Sequence, residues 1–234
     1  MPQLVLIPGL ACDDRLWQAQ WPALPASMAP TVTDVHMRLS TIEDMAATLL
    51  AEHEGPLVLC GASMGGMIAM EAARQAPARI EGLALLGTSA RPETPDMRAL
   101  REAAIELYER DDVRGVVEPN VPFAFHPTQA ADPRLVDAYL QMMLDAGGAQ
   151  LIRQNRAVMQ RPDARRHLPD LRCPVLVMCG DTDRLTPPDC SEEIAALAPG
   201  AALVRLEACG HMLTMEKPEQ VNTTLGTWLA RFDD

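Results

Sequence analysis

Ser63, His211 and an aspartate at 181 or 183 each lie just beyond a short apolar run, close to a glycine. A serine hydroxyl attacks a carbonyl carbon only when a base takes its proton, and an imidazole serves as that base when an acid holds it in one tautomer. In "LCGASMGGMIAME" (59–71) the serine stands between Gly61 and Gly65, where an apolar run gives way to a helical pattern. Small flanking residues let the backbone crowd there, so a sharp strand-to-helix turn can present the hydroxyl. Of five histidines, His53 ends an amphipathic helix, His36 ends a strand-like run, and His126 and His167 lie in an irregular middle region. His211 instead follows the last apolar strand, in "EACGHMLTMEKPEQV", on a glycine turn before the closing helix. Catalytic groups of open α/β sheets gather at such carboxyl ends of strands. The acid is expected between serine and base in chain order, and "PVLVMCG" delivers "DTDRLTPP" with Asp181 and Asp183. One of the two is expected to hydrogen-bond the backbone of its own turn. The oxyanion of an acyl-transfer intermediate needs two N–H donors: Met64, which follows the serine, and Leu10, from the loop "PGLACDD".

The elements that would carry these groups alternate. "QLVLIPG" (3–9), "PLVLCG" (56–61), "IEGLALLGT" (80–88), "CPVLVMCG" (173–180) and "AALVRLEAC" (201–209) read as strands, and "TVTDVHM" (31–37) as a further one. "STIEDMAATLLAEHE" opens with a capping box, Ser40 and Glu43, and repeats apolar residues at helical spacing. A helix runs from about Met64 to the stop at Pro77, and another begins near Pro218 with Val221, Leu225, Trp228, Leu229 and Phe232 on one stripe. Strands alternating with amphipathic helices predict an α/β fold with a parallel sheet covered on both faces. The alternation fails between about Arg91 and Leu171, a proline-rich stretch of helical patterns. The expected organisation is a core of residues 1–90 and 171–234 with a helical insertion at 91–170, before the penultimate strand.

The totals narrow the function. A chain of 234 residues with 48% hydrophobic content can bury a substantial core. Its net charge of −12 argues against a nucleic-acid partner. No apolar run reaches the roughly 18 residues of a membrane span, and "MPQLVLIPGLACDD" lacks the basic start and cleavage site of a signal peptide. A cytoplasmic protein is expected. Six cysteines show no metal-ligand spacing and read as buried free thiols, so no metal site is expected.

Taken together, "IPGLACDDRLW" with Trp17, "GASMGG", "GDTDRLTPP" and "GHMLTMEKPEQV" resemble the α/β-hydrolase family over nearly the whole chain. The family's acid loop commonly reads G-x-x-D-x-x-x-P, which Gly180, Asp183 and Pro187 match, so the resemblance selects Asp183 over Asp181. It implies an α/β-hydrolase fold of about six mostly parallel strands and a helical cap over the site. The usual His-Gly of the oxyanion loop is Pro8-Gly9 here, and the chain starts at what resembles the family's third strand. The implied activity is cofactor-free cleavage of a small, aliphatic carboxylic ester or lactone through an acyl-enzyme. The similar branches are carboxylesterases, carrier methyl esterases and enol-lactonases. An acyltransferase or perhydrolase could use the same three residues, and a non-catalytic small-molecule receptor is the alternative from another class.

A pocket wall is expected from Trp17, Phe123, Phe125, Met142, Met143, Leu185 and Met212. Residues 151 to 172 hold six arginines (153, 156, 161, 165, 166 and 172) against two aspartates, a local charge of +4 that leaves −16 on the rest. Beside a solvated helix face, this permits docking of an anionic carrier or an acidic substrate, since the guanidinium fork grips carboxylate and phosphate.

Overall fold

The structure, a computed structural model, describes residues 1–232. Six strands form one sheet: β1 (Gln3–Ile7), β2 (Thr31–Val32), β3 (Leu57–Ala62), β4 (Ile80–Leu86), β5 (Val175–Gly180) and β6 (Ala202–Leu206). All pairs are parallel, in the order β2-β1-β3-β4-β5-β6. Side chains alternate across the pleat, so Leu4, Leu6, Val58, Cys60, Leu176 and Met178 enter one core. Their neighbours Val5, Ile7, Leu57, Leu59, Val175 and Val177 enter the other. This double burial explains why the strands read as unbroken apolar runs.

The helices that cover the sheet are α1 (Val35–Arg38), α2 (Ile42–Glu52), α3 (Met64–Gln75), three cap helices, α7 (Pro188–Leu197), α8 (Leu213–Glu216) and α9 (Pro218–Leu229). The cap helices α4 (Pro95–Glu109), α5 (Val113–Ala124) and α6 (Pro133–Met159) lie between β4 and β5. Within α6 the chain kinks at Gly147, whose φ of 71° and ψ of 161° only glycine adopts cheaply.

Two local expectations shift. The stretch 31–37 is a strand only at Thr31–Val32, on the sheet edge, and becomes the helical turn α1 from Val35. Thr33 Oγ1 accepts from Val35 N, and Met37 N donates to Asp34 O, a side-chain-led turn that diverts the edge strand. Helix α2 is capped by Thr41, whose hydroxyl accepts from Asp44 N at 3.0 Å, one residue beyond the expected Ser40. "TIED" offers the same cap spacing as "STIE", and the fold uses the later one.

The end of α6 leaves the cap. Ala157 and Val158 pack with Ala164, Leu168 and Leu171 into the core that holds Leu83 and Val175. Gln154 fastens that end to the loops beside β1: its Oε1 accepts from Ala11 N at 2.8 Å and its Nε2 donates to His36 O at 2.9 Å. All six cysteines are free, and among the described residues no helix is long and apolar enough to cross a membrane.

Candidate active site

The sheet order reverses at β1, which has β2 on one side and β3 on the other. Open α/β sheets bind ligands in the crevice at the carboxyl ends of strands flanking such a point. Gly9 and Leu10 leave β1 there, and Ser63 leaves β3. Ser63 has φ 52° and ψ −115°, a conformation that costs a side-chain-bearing residue about 1–3 kcal/mol. The surroundings hold it there: Ser63 N donates to Leu86 O at 2.9 Å, and Thr88 Oγ1 donates to Ser63 O at 2.7 Å. The flanking glycines are required by space. A Cβ on Gly61 would sit 2.3 Å from Gly65 O, and one on Gly65 would sit 2.0 Å from Ile7 O. The Ser63 hydroxyl has no protein hydrogen-bond partner among the described residues, so nothing holds it back from a ligand.

His211 Nδ1–H donates to Asp183 Oδ2 at 2.8 Å, and both side chains are buried. The Asp183 carboxylate is fixed on every side. Oδ1 accepts from Leu185 N and Thr186 N, each at 2.9 Å, and Oδ2 also accepts from Thr186 Oγ1 at 2.8 Å. Burial alone would raise this carboxyl, but the His211 charge, its hydrogen bond and the Thr186 donors outweigh it and hold the group below its ordinary value. For His211, burial pushes the imidazole down, and the Asp183 charge and hydrogen bond overturn that and raise it. The other aspartate of the loop has a structural role. Asp181 accepts from Ala208 N at 3.0 Å and Cys209 N at 3.1 Å, tying the β5 loop to the turn before His211.

Glu216 holds the histidine's loop, a role the sequence reading missed. Its carboxylate accepts from Gly210 N at 3.0 Å, from Met212 N at 3.1 Å and from His126 N at 2.9 Å, so it clamps the backbone on both sides of His211. Burial pushes this carboxyl up, and the N–H donors oppose the shift without reversing it. The cap joins the clamp: His211 N donates to Ala124 O at 2.9 Å. A Cβ on Gly210 would sit 2.6 Å from His126 N, so the glycine lets the two segments touch. The spacing of Glu216 five residues after His211, across a single helical turn, was the available signal.

Ser63 and His211 open into one cavity of about 540 Å³, roofed by α4, α5 and α6. Leu10 and Met64 line it, and neither backbone N–H has a protein acceptor among the described residues. Of the expected wall, Phe123, Met143, Leu185 and Met212 are present. Trp17, Phe125 and Met142 lie in the core instead. Trp17 is wholly buried, and Phe125 stacks edge-on against Tyr139 at 5.2 Å, beside the Gly210 turn. Large side chains near the site were read as lining because sequence gives proximity along the chain but not the side of the backbone. The wall also holds Met67, from α3, and Met97, Leu100, Arg101, Tyr108 and Asn155, from cap faces with no motif to mark them.

The six arginines of 151–172 are largely engaged. Arg161 is buried on Glu93, Arg153 donates to Met37 O, and Arg156 and Arg165 pair with Glu109 and Asp163. Arg172 donates to Leu171 O, and Arg166 is exposed, 4.0 Å from Asp163. An anionic handle docking there would compete with these pairs. Among the described residues, no group of three His, Cys, Asp or Glu side chains could hold a metal ion.

Residues 4–224 match the model of the alpha/beta hydrolase family, and the chain belongs to that family. It is 29% identical to the pimeloyl-[acyl-carrier protein] methyl ester esterase of Aromatoleum aromaticum, over 93% of this chain and 94% of that one. Among solved structures it is similar to a thermophilic esterase from Thermogutta terrifontis, malate bound, with a TM-score of 0.89, 29% identity and coverage of 99% and 90%. The enol-lactonase from Burkholderia xenovorans LB400 shares the fold at a TM-score of 0.86, with 22% identity and coverage of 98% and 91%. These relatives support ester hydrolysis as the chemistry of the chain.

Proposed function

We propose that the protein is a cofactor-free serine hydrolase of small carboxylic esters or lactones, acting through an acyl-enzyme. The observation that carries this reading is the buried His211–Asp183 hydrogen bond of 2.8 Å at the wall of the cavity that Ser63 enters. With Nδ1–H committed to Asp183, the neutral imidazole has its lone pair on Nε2, the tautomer a general base needs. Nε2 takes the Ser63 proton as Oγ attacks the carbonyl carbon. The oxyanion that forms is held by the N–H groups of Leu10 and Met64, which lack protein acceptors among the described residues and so are left for this role. Collapse expels the alcohol or opens the lactone, with the proton returned from Nε2, and water then repeats the sequence on the acyl-serine.

The open contact between Ser63 and His211 accords with ligand-free sites, where catalytic hydrogen bonds tighten only on binding. The test is stoichiometric labelling by a fluorophosphonate, followed by mass mapping of the adduct, together with turnover of a p-nitrophenyl ester past one equivalent. An adduct on Ser63 that is absent in Ser63→Ala is the expected result. Turnover that stops at one equivalent, or an adduct elsewhere, would overturn the reading.

A further inference from the structure

The cap wall of the cavity holds a charge that the chemistry of acyl transfer does not use. Arg101, on α4, lines the cavity, and its side chain is 23% exposed. Its Nε donates to Glu93 Oε2 at 2.7 Å and its Nη1 to Asn155 Oδ1 at 2.8 Å. Its Nη2 has no protein acceptor among the described residues. Asn155 also lines the cavity, and its own amide is fixed by donation to Leu151 O at 2.8 Å.

The charge does not balance. Glu93, with 2% of its side chain exposed, is shared between Arg101 at 2.7 Å and Arg161 at 3.0 Å. Arg161 is saturated by further bonds to Arg91 O and Val158 O, each at 2.8 Å, and does not line the cavity. Among the described residues, no second carboxylate lies within the 4.0 Å of an ion pair with either guanidinium. Two guanidiniums therefore face one carboxylate, and the uncompensated positive charge belongs to the member that opens on the cavity. A buried charge left short of a partner is costly, and an incoming anion recovers that cost. Arg184 is the other arginine at the cavity, but it sits exposed over the Phe123 ring at 4.4 Å, where water screens it.

We propose that Arg101, braced by Asn155 and Glu93, is a carboxylate-recognition site within the cavity, so that the preferred substrates are esters or lactones bearing a free carboxylate. This rests on the serine-hydrolase reading for turnover, but not for binding. The rest of the wall is mostly apolar, with Met67, Met97, Leu100, Met143 and Val158, which suits an aliphatic chain between the two polar ends. The guanidinium fork accounts for selection of a carboxylate over a neutral group of the same shape.

The experiment compares monoethyl adipate with the ethyl ester of adipic acid monoamide, which replaces the carboxylate by an uncharged amide. For the wild type, kcat/KM for the acid is expected to exceed that for the amide by about 10- to 100-fold, the range of one charge-assisted contact. Arg101→Gln should remove this preference through KM and leave the amide within about twofold, whereas surface Arg156→Gln should leave both unchanged. Glu93→Gln removes the only anion of the cluster and should widen the preference. Binding of the same two esters to Ser63→Ala, by calorimetry, reads the site without turnover and does not depend on the Arg101 variant folding. Equal binding of acid and amide, or equal loss of both in Arg101→Gln, would overturn the proposal. Hydrolysis of neither ester with tighter binding of the acid would overturn the proposed reaction and leave the carboxylate site standing.

Discussion

Asp183→Asn separates the tautomer argument from simple loss of structure. In the wild type Oδ1 accepts two backbone N–H groups, from Leu185 and Thr186, at 2.9 Å each. The asparagine oxygen must keep that position, because the flipped amide would press an NH₂ against two donors. The new Nδ2 then faces His211 Nδ1 and Thr186 Oγ1. The hydroxyl can accept, but the imidazole can answer a donor only by giving up the proton on Nδ1. That tautomer carries the proton on Nε2 and cannot take one from Ser63. The loss expected in the chemical step is about 10⁴-fold, as in the serine-protease case, which is about 5.5 kcal/mol of barrier. Because the two Oδ1 contacts survive unchanged and the two Oδ2 contacts survive with donor and acceptor exchanged, the melting temperature should fall little. The acid limb of kcat/KM should also move. His211 works neutral, and the Asp183 charge raises it, so removing that charge lowers the limb to more acid pH. The assay is a pH series of p-nitrophenyl ester hydrolysis with circular-dichroism melts of the same samples. Asp181→Asn, which loses one of two bonds to Ala208 N and Cys209 N, should cost about 1 kcal/mol of stability and little activity. Near-normal turnover in Asp183→Asn, or the reverse ranking of the two variants, would refute the assignment.

Ser63→Ala should abolish fluorophosphonate labelling with an unchanged melt, while residual hydrolysis of roughly 10³–10⁴ over water persists from the remaining site. Gly65→Ala should destabilise by more than about 3 kcal/mol in urea titrations, because its Cβ would stand 2.0 Å from the backbone oxygen of Ile7. Glu216→Gln can satisfy only one side of the clamp and turns an NH₂ toward a backbone donor. A loss of about 1–3 kcal/mol in stability is expected, with kcat falling more than KM because the base is displaced. For stability against pH, the depressed Asp183 contributes above its unfolded value near 3.9 and loses that as pH falls through its folded value. The raised His211 contributes fully below about 6.5 and loses that as pH rises through its folded value. The two shifts belong to one charge pair, so the gap between the melts of wild type and His211→Gln should be widest between the folded values of Asp183 and His211 and narrow outside that window, without closing at high pH, where the neutral imidazole keeps its hydrogen bond to Asp183.

The core of this fold is written in local chemistry that sequence exposes. Strands buried on both faces appear as Val-, Ile- and Leu-rich runs, and the turn at Ser63 needs Gly61 and Gly65 by contact distances under 2.5 Å. Which aspartate meets His211 was a matter of register within one loop, and it took a family pattern rather than a residue type to prefer Asp183, since Asp181 also lies in that loop and also binds backbone. What sequence could not supply was direction. Trp17, Phe125 and Met142 are near the cavity along the chain yet point into the core, whereas Arg101 enters the cavity from a helix with no motif. A cap helix buries different faces against the core, its neighbours and the cavity, and a single apolar periodicity cannot apportion them. Likewise 31–37 alternates well enough for a strand, but its place at the sheet edge left the turn at Thr33 and Asp34 free to end it.

The attachment of the cap bears on how such a site is entered. Its α5 end is bonded to the loop of His211 itself, through Ala124 O, which accepts from His211 N at 2.9 Å and Met212 N at 3.2 Å, and through His126 N, which donates to Glu216 at 2.9 Å. The far end of α6 is held by Gln154 between Ala11 N and His36 O, next to Leu10, the proposed oxyanion donor. A cap that swung away as one rigid lid would break bonds at both ends, each worth about 0.5–1.5 kcal/mol or more for the carboxylate. It would also drag the loops that carry His211 and Leu10 out of register. A lighter contact stands just before the first anchor, where Phe123, 41% exposed, lies under the Arg184 guanidinium. An exposed cation–π contact of this kind is worth about 0.5–1 kcal/mol. Parting Phe123 from Arg184 therefore costs less than freeing either anchor, and it leaves His211 and Leu10 where the chemistry needs them. The fold thus separates two tasks within one insertion: its middle, at Ala124 and His126, and its far end, at Gln154, brace the loops that carry His211 and Leu10, while its first helix brings Arg101 to the cavity wall.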